Sequence, residues 1–148
     1  MAWSRIHKFK VFYKERLKVT EKEYFTSKEL EELESGYDKF ISGGDQIWND
    51  ELTGQDSAYF LDFVKDKKLK ISYSSSFGMI DIHDENRVSR LLSDFGCIST
   101  REKSGVEIIE KLTGRKAHLV LDPVFLIDKS EWERNIPINK TKSTYAFI

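Results

Sequence analysis

Apolar residues recur at two periods along this chain, and the alternation between them predicts its architecture. Between residues 3 and 17, Trp3, Ile6, Phe9, Phe12, Tyr13 and Leu17 come every three or four positions with basic residues between them. That spacing predicts an amphipathic helix whose aromatic stripe is its buried face. Thr26 and Glu29 have capping-box spacing, so a short helix over 28–34 follows, with Gly36 as its stop. The turning point is residues 37–49, YDKFISGGDQIWN, where Phe40 and Ile41 are expected to pack on both faces of a sheet before Gly43 and Gly44 break the run. Residues 57–64 (SAYFLDFV) are apolar enough to lie on the sheet. Residues 70–74 (KISYS) read as the next strand, running into Ser75, Ser76, Phe77 and Gly78.

A helix over 84–95 is expected to cover the sheet through Val88, Leu91, Leu92 and Phe95, capped by Asp81 or Asp84. Residues 97–100 (CIST) form a third strand. Ser99 and Glu102 have capping-box spacing, which would set Arg101 in the first turn of a helix built on Val106, Ile108, Ile109 and Leu112 and ended by Gly114. Residues 119–121 form a fourth strand, closed by Asp122-Pro123, where proline forces an extended exit. A short helical piece over 130–136 holds Trp132, residues 135–143 read as a linker, and residues 144–148 (TYAFI) begin another strand. The expected organisation is a partial domain over 1–134, the linker, and the first strand of a second domain.

Strands alternating with helices give an α/β fold with a mostly parallel sheet, and such sheets bind ligands beyond the carboxyl ends of their strands. Here those ends carry Ser42-Gly43-Gly44-Asp45, Ser74-Ser75-Ser76-Phe77-Gly78, Thr100-Arg101-Glu102 and Asp122-Pro123. Together they describe the rim of a cleft. Arg101 is the leading candidate within it, because a guanidinium beside a helix N-terminus suits a carboxylate or phosphate. The competing reading pairs Arg101 with Glu102, Asp122 or another local acid. Asp45 equally suits a ligand contact or a cap on its own turn, and Trp48 a sugar ring or the core.

Composition narrows the partners. With 24 basic and 25 acidic residues the formal charge is -1, so neither nucleic acid nor an anionic membrane surface is indicated. The lone Cys97, in the apolar stretch FGCIS, cannot form an internal disulfide and reads as a small buried hydrophobe in a reducing cytoplasm. No apolar run approaches the ~20 residues of a membrane span. His7, His83 and His118 lack metal-ligand spacing and read as surface residues. No nucleophile triad order, CxxC pair or GxxxxGK[ST] loop occurs, so local motifs assign no catalytic group.

Four stretches, YDKFISGGDQIWN, SAYFLDFVKDKKLKISYSSSFG, ISTREKSGVEIIEKLTG and VLDPVFLIDKSEW, resemble in order and separation the polysaccharide pyruvyl transferases, over residues 9–132. The resemblance implies a Rossmann-like half of a two-domain fold similar to B-type glycosyltransferases. It implies transfer of the enolpyruvyl part of phosphoenolpyruvate to a saccharide, forming a pyruvate ketal in bacterial exopolysaccharide and cell-envelope synthesis, with neither cofactor nor metal. Arg101 matches the arginine that holds the donor. Gly43, Gly44, Asp45, Gln46 and Trp48, with Ser76, Phe77 and Gly78, would line the acceptor side. The family's histidine general acid and further basic donor contacts belong to the second half, and its usual first strand and glycine loop would precede residue 3. The expectation is therefore an internal piece, inactive alone, with a missing half in trans or a homo-oligomer as its partner. Two other readings stand beside it: a glycosyltransferase of related shape using a nucleotide sugar, and a non-catalytic saccharide-binding remnant.

Overall fold

The computed structural model describes residues 2–135, so the strand expected over 144–148 and all but the first residue of the linker lie outside the described part. α1 (Ala2–Arg16) forms where its periodicity places it. Its stripe is not the buried face that the pattern suggests: Ile6, Phe9, Phe12 and Tyr13 are all more than half exposed. α2 (Ser27–Leu30) opens on the expected capping box, with Thr26 Oγ1 accepting from the Glu29 N–H while the Glu29 carboxylate accepts from the Thr26 N–H. A 3₁₀ turn over Glu31–Gly36 then leads into β1 (Phe40–Gly43).

Beyond β1 the chain makes α3 (Asp50–Thr53) and two 3₁₀ turns, Ser57–Phe60 and Lys67–Leu69, each begun by an aspartate that accepts a backbone N–H two residues on. β2 (Lys70–Tyr73), α4 (Glu85–Ser93), β3 (Ser99–Thr100), α5 (Lys103–Thr113) and β4 (His118–Leu119) complete the alternation. Asp84, not Asp81, caps α4, taking the Arg87 N–H, and Gly114 ends α5 in the left-handed conformation at φ 66°. The 3₁₀ turn Pro123–Leu126 and α6 (Lys129–Asn135) follow, tied together by Trp132 Nε1 donating to the Val124 carbonyl at 3.1 Å.

All strand pairs are parallel. β1 pairs with β2, and β3 with β4. Bridges from Ile71 to Cys97 and from Ser75 to Thr100 set β2 beside β3, giving the spatial order β1-β2-β3-β4. Serine hydroxyls stitch the middle of the sheet. Ser72 Oγ accepts from the Ser99 N–H at 2.7 Å and donates to its carbonyl, and Ser99 Oγ donates to the Ser72 carbonyl at 2.7 Å. Ser75 Oγ donates to the Ser42 carbonyl at 2.9 Å. These buried hydroxyls meet backbone hydrogen-bonding needs that a larger apolar residue would leave open. Ser74 takes a positive φ of 59° between them, and the pairing offset changes by one residue across it.

One sheet face carries the core. Phe40 meets Phe63 edge-on at 5.7 Å, and Trp48 stacks on Phe60 at 5.6 Å and contacts Phe77 and Phe95. Val88, Leu91 and Leu92 of α4 with Ile108 and Ile109 of α5 close over them. The opposite face is open: Ile41, expected to be covered, is 66% exposed, and Cys97, expected to be buried, is exposed as well. The register puts both on the same side as Ile71, where the described residues supply no covering helix.

Candidate functional site

Three strand ends meet at Arg101. Its Nη1 donates to the Gly44 carbonyl at 3.0 Å and to Asp122 Oδ2 at 2.6 Å, its Nη2 to Asp45 Oδ1 at 3.2 Å, and its Nε to Glu102 Oε1 at 3.2 Å. The loops after β1, β3 and β4 are thereby joined through one guanidinium. Gly44 makes the approach possible. Its φ of +99° is open to glycine at little cost, and its nearest neighbour beyond the loop is the Pro123 ring. A Cβ on Gly43 would collide with the Tyr73 carbonyl across the β1–β2 pair, so the double glycine answers two separate steric demands.

Burial works against the charge on Arg101, but the hydrogen bonds it donates to Asp122, Glu102 and Asp45 outweigh it and raise its pKa above the ordinary arginine value. Asp122 is held below the usual aspartate range, first by the Val124 N–H and then by Arg101. The contribution of Asp122 to stability is therefore complete above its unfolded pKa of about 3.9 and lost only as pH falls through its lower folded value. Carboxyl-carbon NMR is expected to give a midpoint for Asp122 under about 3.9, and Arg101→Gln is expected to raise it only part of the way because the Val124 contact remains. A midpoint at or above that value would contradict this geometry.

Arg101 does not sit inside the first helical turn, as the Ser99–Glu102 spacing suggests. Glu102 is the N-cap of α5 and makes no side-chain capping bond, while Ser99 is committed to β2. The start of α5 thus leaves N–H groups without a side-chain cap, next to Arg101. A cavity of about 260 Å³ opens beside it, lined by Phe77, Gly78, Ile80, Glu102, Ser104 and Gly105. Gly105 fits there because a Cβ would meet Thr100 Oγ1.

The other expected site residues divide into two groups. Gly43, Gly44, Asp45, Gln46 and Gly78 lie at the lip: Asp45 Oδ1 also accepts the Gln46 N–H at 2.8 Å, and a Cβ on Gly78 would meet the Gln46 side chain. Trp48 and Ser76 lie behind the lip, in the core. Trp48 is 1% exposed at the centre of the aromatic cluster, and Ser76 is buried, accepting the Trp48 N–H on its carbonyl and the Gly78 N–H on its hydroxyl. Phe77 packs against Trp48 and also lines the cavity. A tryptophan flanked in space by three phenylalanines loses more by leaving the core than a surface contact returns.

Asp122 and Glu102 contribute more to the lip than their motifs convey. Their positions in the chain put both near Arg101, and the fold lets both bind it at once. Among the described residues no group of three or more histidine, cysteine or acidic side chains is arranged to hold a metal ion, and no helix is long and apolar enough to cross a membrane. His7, His83 and His118 are exposed, and among the described residues only His83 forms an ion-pair contact with an acid, Glu51 at 3.8 Å.

No curated protein and no solved structure matched the chain. A family model did, over residues 2–147, and its description is polysaccharide pyruvyl transferase. With that match spanning nearly its full length, and with the glycine loop and Arg101 meeting at one lip, the chain belongs to the polysaccharide pyruvyl transferase family.

Proposed function

We propose that the chain supplies the Arg101 lip of an enzyme that moves the enolpyruvyl part of phosphoenolpyruvate onto a saccharide. In that reaction the methylene carbon takes a proton, two sugar hydroxyls bond to the central carbon, and phosphate leaves, giving a pyruvate ketal. Family membership supports this reading, and so does the one observation that carries it: a guanidinium at the joint of three strand-end loops, beside uncapped helix N–H groups. Arg101 would hold the donor carboxylate or phosphate. Gly43, Gly44, Asp45, Gln46 and Gly78 would shape the adjoining wall, and the parent would have the Rossmann-like, two-domain form of B-type glycosyltransferases.

Arg101 is occupied by its own neighbours, and their pairings rank the order in which they yield. Asp45 is 80% exposed and pairs at 3.2 Å, whereas Asp122 is more enclosed and pairs at 2.6 Å. An exposed pair is worth only about 0.2–1 kcal/mol, so Asp45 is the placeholder that a donor anion displaces. Three carboxylates against one guanidinium still leave two negative charges in excess (3 − 1). Tight donor binding therefore draws on further cations in the parent enzyme, whereas this chain alone is expected to bind the donor weakly, at millimolar concentration, and to make no pyruvylated product.

The donor class is tested by thermal unfolding of the purified chain. Millimolar phosphoenolpyruvate is expected to raise the midpoint, because a ligand bound to the folded state stabilises it by mass action. Nucleotide sugars are expected to leave it unchanged. A shift with a nucleotide sugar and none with phosphoenolpyruvate would favour a glycosyltransferase instead.

A further inference from the structure

We infer that two copies of this chain exchange α1, each helix laying its aromatic stripe on the open sheet face of the other copy. Among the described residues two surfaces of one chain lack a partner. Parallel sheets are covered on both faces, since their strands are apolar on both. Here the described residues cover the Phe40 and Ser42 side, while Ile41, Ile71 and Cys97 share the other, with Ile41 two-thirds exposed. The second surface is α1. Phe9 is 69% exposed, Ile6, Phe12 and Tyr13 are each above half, and no hydrogen bond or ion pair joins their helix to another element among the described residues.

Charge makes the two surfaces complementary. Residues 6–18 carry Lys8, Lys10, Lys14, Arg16 and Lys18 against the single acid Glu15. Residues 29–38, separated from β1 by Lys39 alone, carry Glu29, Glu31, Glu32, Glu34 and Asp38 and no basic residue. Glu31 and Glu32 already meet Lys65 and Lys22, but those pairs are exposed and leave the segment acidic. A cationic helix crossing the open face beside β1 would meet this segment at the sheet's edge. A second copy is the occupant these features select, because the stripe of α1 is left exposed by the described residues of its own chain and exchange of an identical element is a low-cost route to a closed, two-fold dimer.

Light scattering on the full chain across micromolar concentrations tests this. The expected mass is twice the 17.3 kDa of one copy. Phe9→Glu combined with Phe12→Glu, and separately Ile41→Glu, are each expected to weaken dimerisation at least tenfold. All three positions are exposed, so the circular dichroism spectrum should not change. Mixing the two variants is expected to restore a heterodimer, since one intact helix then meets one intact face. The inference is overturned by a monomer at every concentration, or by a dimer that survives Ile41→Glu. It is also overturned if a monomer sediments with phosphatidylglycerol vesicles in a manner lost in the Phe9/Phe12 variant, which would make α1 a lipid-surface helix.

Discussion

Arg87→Met is expected to destabilise the fold by about 3–5 kcal/mol, the cost of leaving one partner of a buried ion pair without the other. Arg87 Nη2 contacts Asp50 Oδ1, and the two side chains are only 14% and 7% exposed. Nη1 of the same residue reaches the Gln55 carbonyl at 3.3 Å and Ser57 Oγ at 3.4 Å, and the guanidinium lies 5.8 Å from the centre of the Phe60 ring. With methionine at this position the Asp50 carboxylate would stay enclosed and uncompensated. Replacing both partners, as Asp50→Leu with Arg87→Met, is expected to recover most of the loss, because well-packed apolar residues often equal a buried pair. Urea denaturation of the four proteins in the cycle reads this directly. A loss for Arg87→Met below about 1 kcal/mol would place the pair in the class of exposed ion pairs instead. Functionally, the pair fixes α3 against α4, and α3 is where the loop over 43–49 ends.

The sheet and its lip were legible in the sequence because each rests on a short-range signal. Thr26 and Glu29 form their capping box, Gly114 ends its helix, and Asp122-Pro123 closes β4 in the extended conformation expected before proline. Placing Gly44 and Arg101 at one edge required only the rule that parallel strands end on the same side, and the 3.0 Å bond between them is that rule realised. What periodicity could not tell was which apolar surfaces have something to cover them. The stripe of α1 and Ile41 have the pattern of buried residues yet lie open, since burial depends on partners that a local window does not contain. Trp48 and Ser76 show the opposite case, buried where the pattern left a ligand contact open. A tryptophan after a glycine loop looks like a ligand platform until Phe60, Phe77 and Phe95, distant in sequence, close around it. The Ser99–Glu102 spacing matched a capping box as well, but the Ser99 hydroxyl bonds the Ser72 carbonyl instead.

The arrangement around Arg101 makes a prediction in two directions. Arg101→Met removes the guanidinium and leaves Asp45, Glu102 and Asp122 facing one another, so an anion loses its main contact and meets added repulsion. Binding of phosphoenolpyruvate is expected to fall at least tenfold, about 1.4 kcal/mol, as expected for a lost charge-assisted hydrogen bond. Asp45→Asn does the reverse. It removes one of the three carboxylates and frees a guanidinium N–H, so the same titration is expected to show severalfold tighter binding. Asp45 is exposed, and its substitution should leave the unfolding midpoint nearly unchanged. Calorimetric titration of phosphoenolpyruvate into the chain, Arg101→Met and Asp45→Asn is therefore the most direct measurement. The predicted order of affinity is Asp45→Asn above the unaltered chain above Arg101→Met, whereas equal affinity in all three would mean that the donor binds elsewhere.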